Sequence, residues 1–214
     1  MPEGAPIGEK IATTHLTLWG VFMRLFSLLF VLLFSSLSFA GWKEDFELLR
    51  NIPRDYQDMG AICEEIARLD MQREYRAPQY TVEVGITYAD GNRTLGELDI
   101  VIFDNNIQKV HKVAEVKCWR DVRGGLKKAK EQRARFLNHI QAGTDLVFKS
   151  TTTKQNYNPE QFHYIKEFFS VAQKGSVKQG FDHEMEYTLS EMHEHRKDML
   201  RCQSEKKCAR PGRQ

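Results

Sequence analysis

Two periods of hydrophobicity divide this chain. Over residues 56–73, Met59, Ile62, Ile66 and Leu69 recur at intervals of three and four, which predicts a helix with Asp55 as its N-cap. The period then falls to two. Residues 80–88 (YTVEVGITY) alternate as a strand, residues 89–92 (ADGN) supply Asp-Gly turn chemistry, and IVIF (100–103) and VAEVK (113–117) form two further strands. Those two are joined through the turn cluster Asp104-Asn105-Asn106. Arg123-Gly124-Gly125 interrupts the pattern before a helix over about residues 126–140, striped at Leu126, Ala129, Arg133, Phe136 or Leu137, and Ile140. Gly143 closes that helix, and residues 145–150 read as one more strand. Upstream, residues 42–54 are a mixed amphipathic stretch ending at Pro53. Downstream, residues 160–173 are expected to form a helix with aromatic anchors and residues 182–200 a charged helix. The expected fold is a three-layer α/β core, a mixed β-sheet flanked by helices, with a helical C-terminal extension.

The candidate chemistry lies on the two middle strands. Strand side chains alternate between faces, so Glu115 and Lys117 share one side while Val116 and Cys118 share the other. Asp99 leads a run that is apolar on both faces, as in a strand buried between layers. A hairpin pairing would bring Asp99 and Glu115 together near the strand ends. Two carboxylates and an ammonium make a hard, oxygen-rich site for Mg²⁺, with Mn²⁺ as a substitute, beside a fixed cation. The competing explanation is a buried Glu–Lys ion pair, which is costly without a purpose. Glu97 is expected to face away from Asp99 and is left out of the ligand set.

The order G-E-x-D-I, about a dozen residues, then apolar-E-V-K (Gly96 to Lys117) resembles the PD-(D/E)XK nuclease signature. The likeness is to Holliday-junction-resolvase-like and restriction-endonuclease-like members, and it covers roughly residues 56–149. Leu98 stands where the literal motif has proline. The resemblance implies a restriction-endonuclease-like core, metal ligation by Asp99, Glu115 and the Val116 carbonyl, and a Lys117 ammonium beside the attacking water. It also implies a further acid from the first helix. Glu65 lies beside the apolar stripe and Glu64 nearly opposite, so Glu65 is the expected ligand, with pairing to Arg68 or Arg73 as its alternative. Gln132 is the expected glutamine of the following helix. Lys127, Lys128, Lys130, Arg133 and Arg135 would meet the nucleic-acid backbone, or else form a solvated helix face. Trp119 and Arg120 would lie at the groove edge, or Trp119 in the core.

Charge and composition refine this. Net charge is +2, with 41% hydrophobic and 28% charged residues, which argues against global disorder and announces no polyanion partner. Locally, residues 112–149 hold ten Lys/Arg against four Asp/Glu, which reads either as a solvated helix face or as a phosphate-backbone footprint. Met23-Arg24, an apolar run over residues 25–34 and Ser38-Phe39-Ala40 have the layout of a secretory signal peptide cleaved after Ala40, with translation starting at Met23. A transmembrane anchor counted from Leu16 is the rival. Export would suit disulfides: Cys202 and Cys208 bracket a short polar loop and read as a local clip, while Cys63 and Cys118 are either paired or two buried thiols. His183, His193 and His195 read as polar helical surface rather than metal ligands.

The expected domains are a leader (1–40), a nuclease core (41–150) and a mainly helical extension (151–214). The expected activity is that of a secreted or periplasmic Mg²⁺-dependent endonuclease-like hydrolase. Its partner would be nucleic acid, DNA before RNA, with no stable membrane insertion once the leader is removed. The alternatives are an inactive nucleic-acid-binding relative of the same fold and an envelope-associated structural protein.

Overall fold

A computed structural model describes residues 40–212. The leader, its anchor alternative and the start at Met23 fall outside the described residues. Helix α1 (Ala40–Leu49) opens the described residues. The elements that follow are α2 (Met59–Glu74), β1 (Tyr80–Asp90), β2 (Arg93–Asp104), β3 (Lys109–Lys117), α3 (Val122–Gln141), β4 (Leu146–Ser150), β5 (Asn156–Tyr157), β6 (Glu167–Ala172), β7 (His183–Glu184) and α4 (Leu189–Ser204).

Among the described residues the sheet has seven strands in the order β5-β4-β1-β2-β3-β6-β7. The pairs β3–β6 and β6–β7 are parallel and the rest antiparallel, so the fold is mixed α/β. Strands β1 to β4 stand where period-two patterning predicts them. Cys118 is bonded to Cys63 of α2, while Gly125 of α3 lies against the Cβ of the preceding residue, Lys117. Adjacent strand residues face opposite ways, so α2 and α3 cover opposite faces of β3. Ile86, Tyr88, Val101, Phe136, Phe148 and Phe162 form the apolar centre.

The structure corrects several boundaries. α2 begins at Met59 and is capped by Asp58, whose carboxylate accepts from the Gly60 N–H at 3.0 Å; Asp55 instead caps the turn at Gln57. Gly124 and Gly125 lie inside the first turn of α3, which Asp121 caps by accepting the Gly124 N–H at 3.0 Å. The expected helix at residues 160–173 is largely absent. Its first residues make one 3-10 turn (Pro159–Phe162) and its last become β6, which pairs with β3 from Lys112↔Glu167 to Lys117↔Ala172. The C-terminal segment is therefore part of the sheet, supplying β5, β6 and β7 as well as α4. It is not a mainly helical extension.

Candidate functional site

The ladder between β2 and β3 runs up to Ile100↔Ala114 and stops one residue short of Asp99 and Glu115. Where the strands part, Asp99 Oδ2 accepts the Val116 N–H at 2.8 Å, so a side chain takes the place of the next ladder bond. Lys117 Nζ enters the gap. It donates to Asp99 Oδ2 at 2.9 Å, to Glu115 Oε2 at 3.3 Å and to the Val116 carbonyl at 2.9 Å. The structure thus brings Asp99, Glu115, Val116 and Lys117 together at the point where β2 and β3 part. All three charged groups are removed from water: Asp99 is 8% exposed, Glu115 1%, and the Lys117 side chain 10%.

Burial and the neighbouring Asp99 carboxylate push the Glu115 carboxyl up to about 9, against the pull of Lys117. Glu115 therefore holds a proton at neutral pH beside Asp99. Burial alone would lower the Lys117 ammonium, but Asp99 and Glu115 outweigh it and hold Lys117 above its usual range. At neutral pH Lys117 is a fixed positive charge and not a base.

The helix acid that joins this group is Glu64, not Glu65. Glu65 is buried and ion-paired on its own helix, with Arg68 Nε donating to Oε2 at 2.7 Å. Glu64 pairs with Arg54 from the preceding loop, and burial together with Asp99 raises it to about 8. Glu97 also belongs. Burial and then Asp99 raise Glu97 as well, so it is electrostatically part of the group it was expected to stand outside. Glu64 and Glu97 line a cavity of about 440 Å³ with Arg54, Thr151, Lys154 and Pro211.

Gly85 makes that wall possible. It has φ +69° and falls between the ladder pairs Val84↔Ile100 and Ile86↔Leu98, across from Asp99. A Cβ there would lie 2.3 Å from Thr151 Oγ1 and 2.7 Å from Glu97 Oε1. Glycine is required by conformation and by space.

On the other side, Glu115 borders a cleft of about 140 Å³ with Lys130, Arg133, Ser170 and Asp182. Lys127 and Lys128 are exposed farther along the same helix and do not line that cleft. Gln132 is half-buried, and its amide oxygen is buried with no protein partner. Trp119 is 45% exposed and is therefore not core. His183 and His193 are exposed, whereas His195 is buried edge-on to Tyr187 and so departs from the surface expectation.

Both disulfides form. Cys202–Cys208 is the expected clip, and Cys63–Cys118 resolves the open alternative with Cα atoms 6.3 Å apart. They are compatible with an oxidising compartment. Among the described residues no helix is long and apolar enough to cross a membrane.

Charge balance sets what the group can do. Four acids (Asp99, Glu115, Glu64, Glu97) stand against two cations (Lys117, Arg54). With every acid ionised, the excess is two negative charges, which one divalent cation would neutralise. No cluster of three or more His, Cys, Asp or Glu side chains poised for a metal occurs among the described residues. The Lys117 ammonium already touches the oxygens of Asp99, Glu115 and Val116 that would bind one. Comparison with protein-family models, curated proteins and solved structures returns no match for the chain.

Proposed function

We propose that this is an exported, Mg²⁺-dependent nuclease of the PD-(D/E)XK type that hydrolyses phosphodiester bonds, with DNA as the first substrate to test. The observation that carries this reading is the convergence of the buried Asp99 and Glu115 carboxyls on the Lys117 ammonium. The donor set fits such an ion: all-oxygen, net negative, with the Val116 carbonyl at hand. Asp99, Glu115 and Val116 would hold it and Glu64 would complete the set. The ion would polarise the phosphate and stabilise charge on the leaving 3′ oxygen.

The protein's own part is positional and electrostatic. Lys117, kept charged chiefly by Asp99, would stand where negative charge grows on phosphorus as water attacks. Water adds to phosphorus and gives up a proton to solvent, the P–O3′ bond breaks, and the leaving oxygen takes up a proton from solvent. Lys130 and Arg133 border the cleft at Glu115 and would hold flanking phosphates, with Lys127 and Lys128 extending that track. Gln132 supplies an unpartnered acceptor that can orient water. The two disulfides and the N-terminal sequence support export.

One observation favours a second reading. The ammonium satisfies the three oxygens of the metal set without any ion, which suits an inactive, nucleic-acid-binding relative. Plasmid incubated with the purified chain, with and without Mg²⁺, separates the two. Metal-dependent cutting that is lost in Lys117→Ala, with its melt retained, supports the nuclease. DNA binding in chelator without cutting in Mg²⁺ supports the binding module.

A further inference from the structure

The two cysteines of one disulfide are the sequence neighbours of two site residues. Cys63 precedes Glu64 on α2, and Cys118 follows Lys117 at the end of β3. The body of α2 is held by apolar packing, with Ile62, Ile66 and Ala67 fully buried, so the bond acts on the junction itself. The β2–β3 ladder has already ended at Ala114, and the β3–β6 ladder ends at Lys117. Beyond it the chain leaves the sheet, held by the Gln173 amide donating to the Trp119 carbonyl at 2.7 Å. Glu64 is steadied by Arg54, which comes from a loop. The Cys63–Cys118 bond is therefore the covalent link between the helix carrying Glu64 and the strand carrying Glu115 and Lys117. Cys202–Cys208 joins residues six apart and flanks none of the site acids.

Resting on the nuclease reading for its consequence, we propose that Cys63 and Cys118 are positioning residues whose disulfide is a redox gate on the site. Oxidised, the bond seats Glu64 beside Asp99 and Lys117. Reduced, the junction loosens while the packed body of α2 stays in place, and Glu64 is no longer held at its place in the group. The co-reactant is a dithiol. Its thiolate attacks the sulfur of half-buried Cys118, the more accessible of the two, and breaks the S–S bond. The second thiol then resolves the mixed disulfide. The protein gains two electrons and two protons, and the dithiol leaves as a cyclic disulfide. Such an enzyme is idle in a reducing compartment and competent where thiols are oxidised.

The test compares wild type, Cys63→Ser/Cys118→Ser and the control Cys202→Ser/Cys208→Ser by amide exchange and by plasmid cleavage in Mg²⁺. Loss of an orienting partner costs on the order of 10–100-fold. The expectation is at least a tenfold fall in kcat with KM for DNA unchanged, because the basic face of α3 is not tied by this bond. Amides around Cys63 and Cys118 should exchange faster while those of β1 and β2 do not, and the control should match wild type on both counts. Cys63→Ala/Cys118→Val, which refills part of the lost volume, serves if the serine variant does not fold. Unchanged local exchange and unchanged kcat overturn the gate. If wild type cuts nothing, the nuclease reading fails by itself, and the exchange data still decide whether the bond positions Glu64 and Lys117.

Discussion

The protonated Glu115 can be tested through stability, independently of any activity. In chelator the folded chain holds the Glu115 proton up to about 9, whereas the unfolded chain releases it near 4.5. The folded state binds more protons throughout that window, so this group removes stability as pH rises from 4.5 to 9. Keeping a proton at pH 7 on a carboxyl with an ordinary value of 4.5 costs about 3 kcal/mol at 1.36 kcal/mol per pH unit. That cost requires only that the folded value exceed 7. Glu115→Gln has the shape of the protonated acid: its amide can donate to Asp99, and its oxygen can accept from Lys117. The variant should therefore be more stable than wild type by about 3 kcal/mol at pH 7, or about 6–12 °C in Tm for a chain of this size. The gain should vanish at pH 4.5, while cleavage in Mg²⁺ is lost. Differential scanning calorimetry in chelator at pH 4.5, 7 and 8.5 reads it directly. A variant that melts below wild type at pH 7, or whose difference ignores pH, would refute the reasoning. Glu115 would then be an ionised partner in an ordinary ion pair, where removing one member is destabilising.

Three further outcomes follow from the same geometry. Gly85→Ala forces a side chain into φ +69° and into contact with Thr151 and Glu97, so it should cost about 1–3 kcal/mol in denaturant melts and impair cleavage as well. Asp70, raised by burial and by Asp45 and Glu186 to about 6 against the pull of Arg73, withdraws stability as pH climbs from 3.8 to 6. Asp70→Asn should therefore gain up to about 3 kcal/mol above pH 6 and nothing below pH 4; equal effects at both pH values would contradict this. Replacing Lys127, Lys128, Lys130 and Arg133 by alanine should weaken DNA binding and flatten its salt dependence by roughly 0.9 in slope per lost phosphate contact. Lys130 and Arg133 should account for most of it, because they border the Glu115 cleft.

The strand pair was legible because its information is local. Apolar runs of β2 and β3 flanked by turn residues specify a hairpin, and period-two alternation then fixes Glu115 and Lys117 on one side. Glu97 was not legible by that rule, because Gly85, at φ +69° across from Asp99, interrupts the regular alternation there. β6 was not legible. EFFSVA is almost wholly buried, so no polar face marks its period. Its partner β3 lies some fifty residues upstream in a parallel pairing that leaves no local turn signal.

The helix acid shows a different limit. A helical wheel ranks residues by nearness to the apolar stripe, and by that measure Glu65 outranks Glu64. It is indeed the more buried, but Arg68, one turn on, neutralises it within the helix. Membership of a site depends on which charges a carboxylate faces across the fold, and those come from a loop arginine, two strand acids and a strand lysine. The disulfide carries the missing information. A bond from Cys63 to Cys118 places the residues beside them, Glu64 and Lys117, at the same end of β3. That pairing points to Glu64 without a helical wheel. The covalent constraint and the charge cluster are two expressions of one local geometry, which is why reduction and mutation of the acids should converge on the same loss.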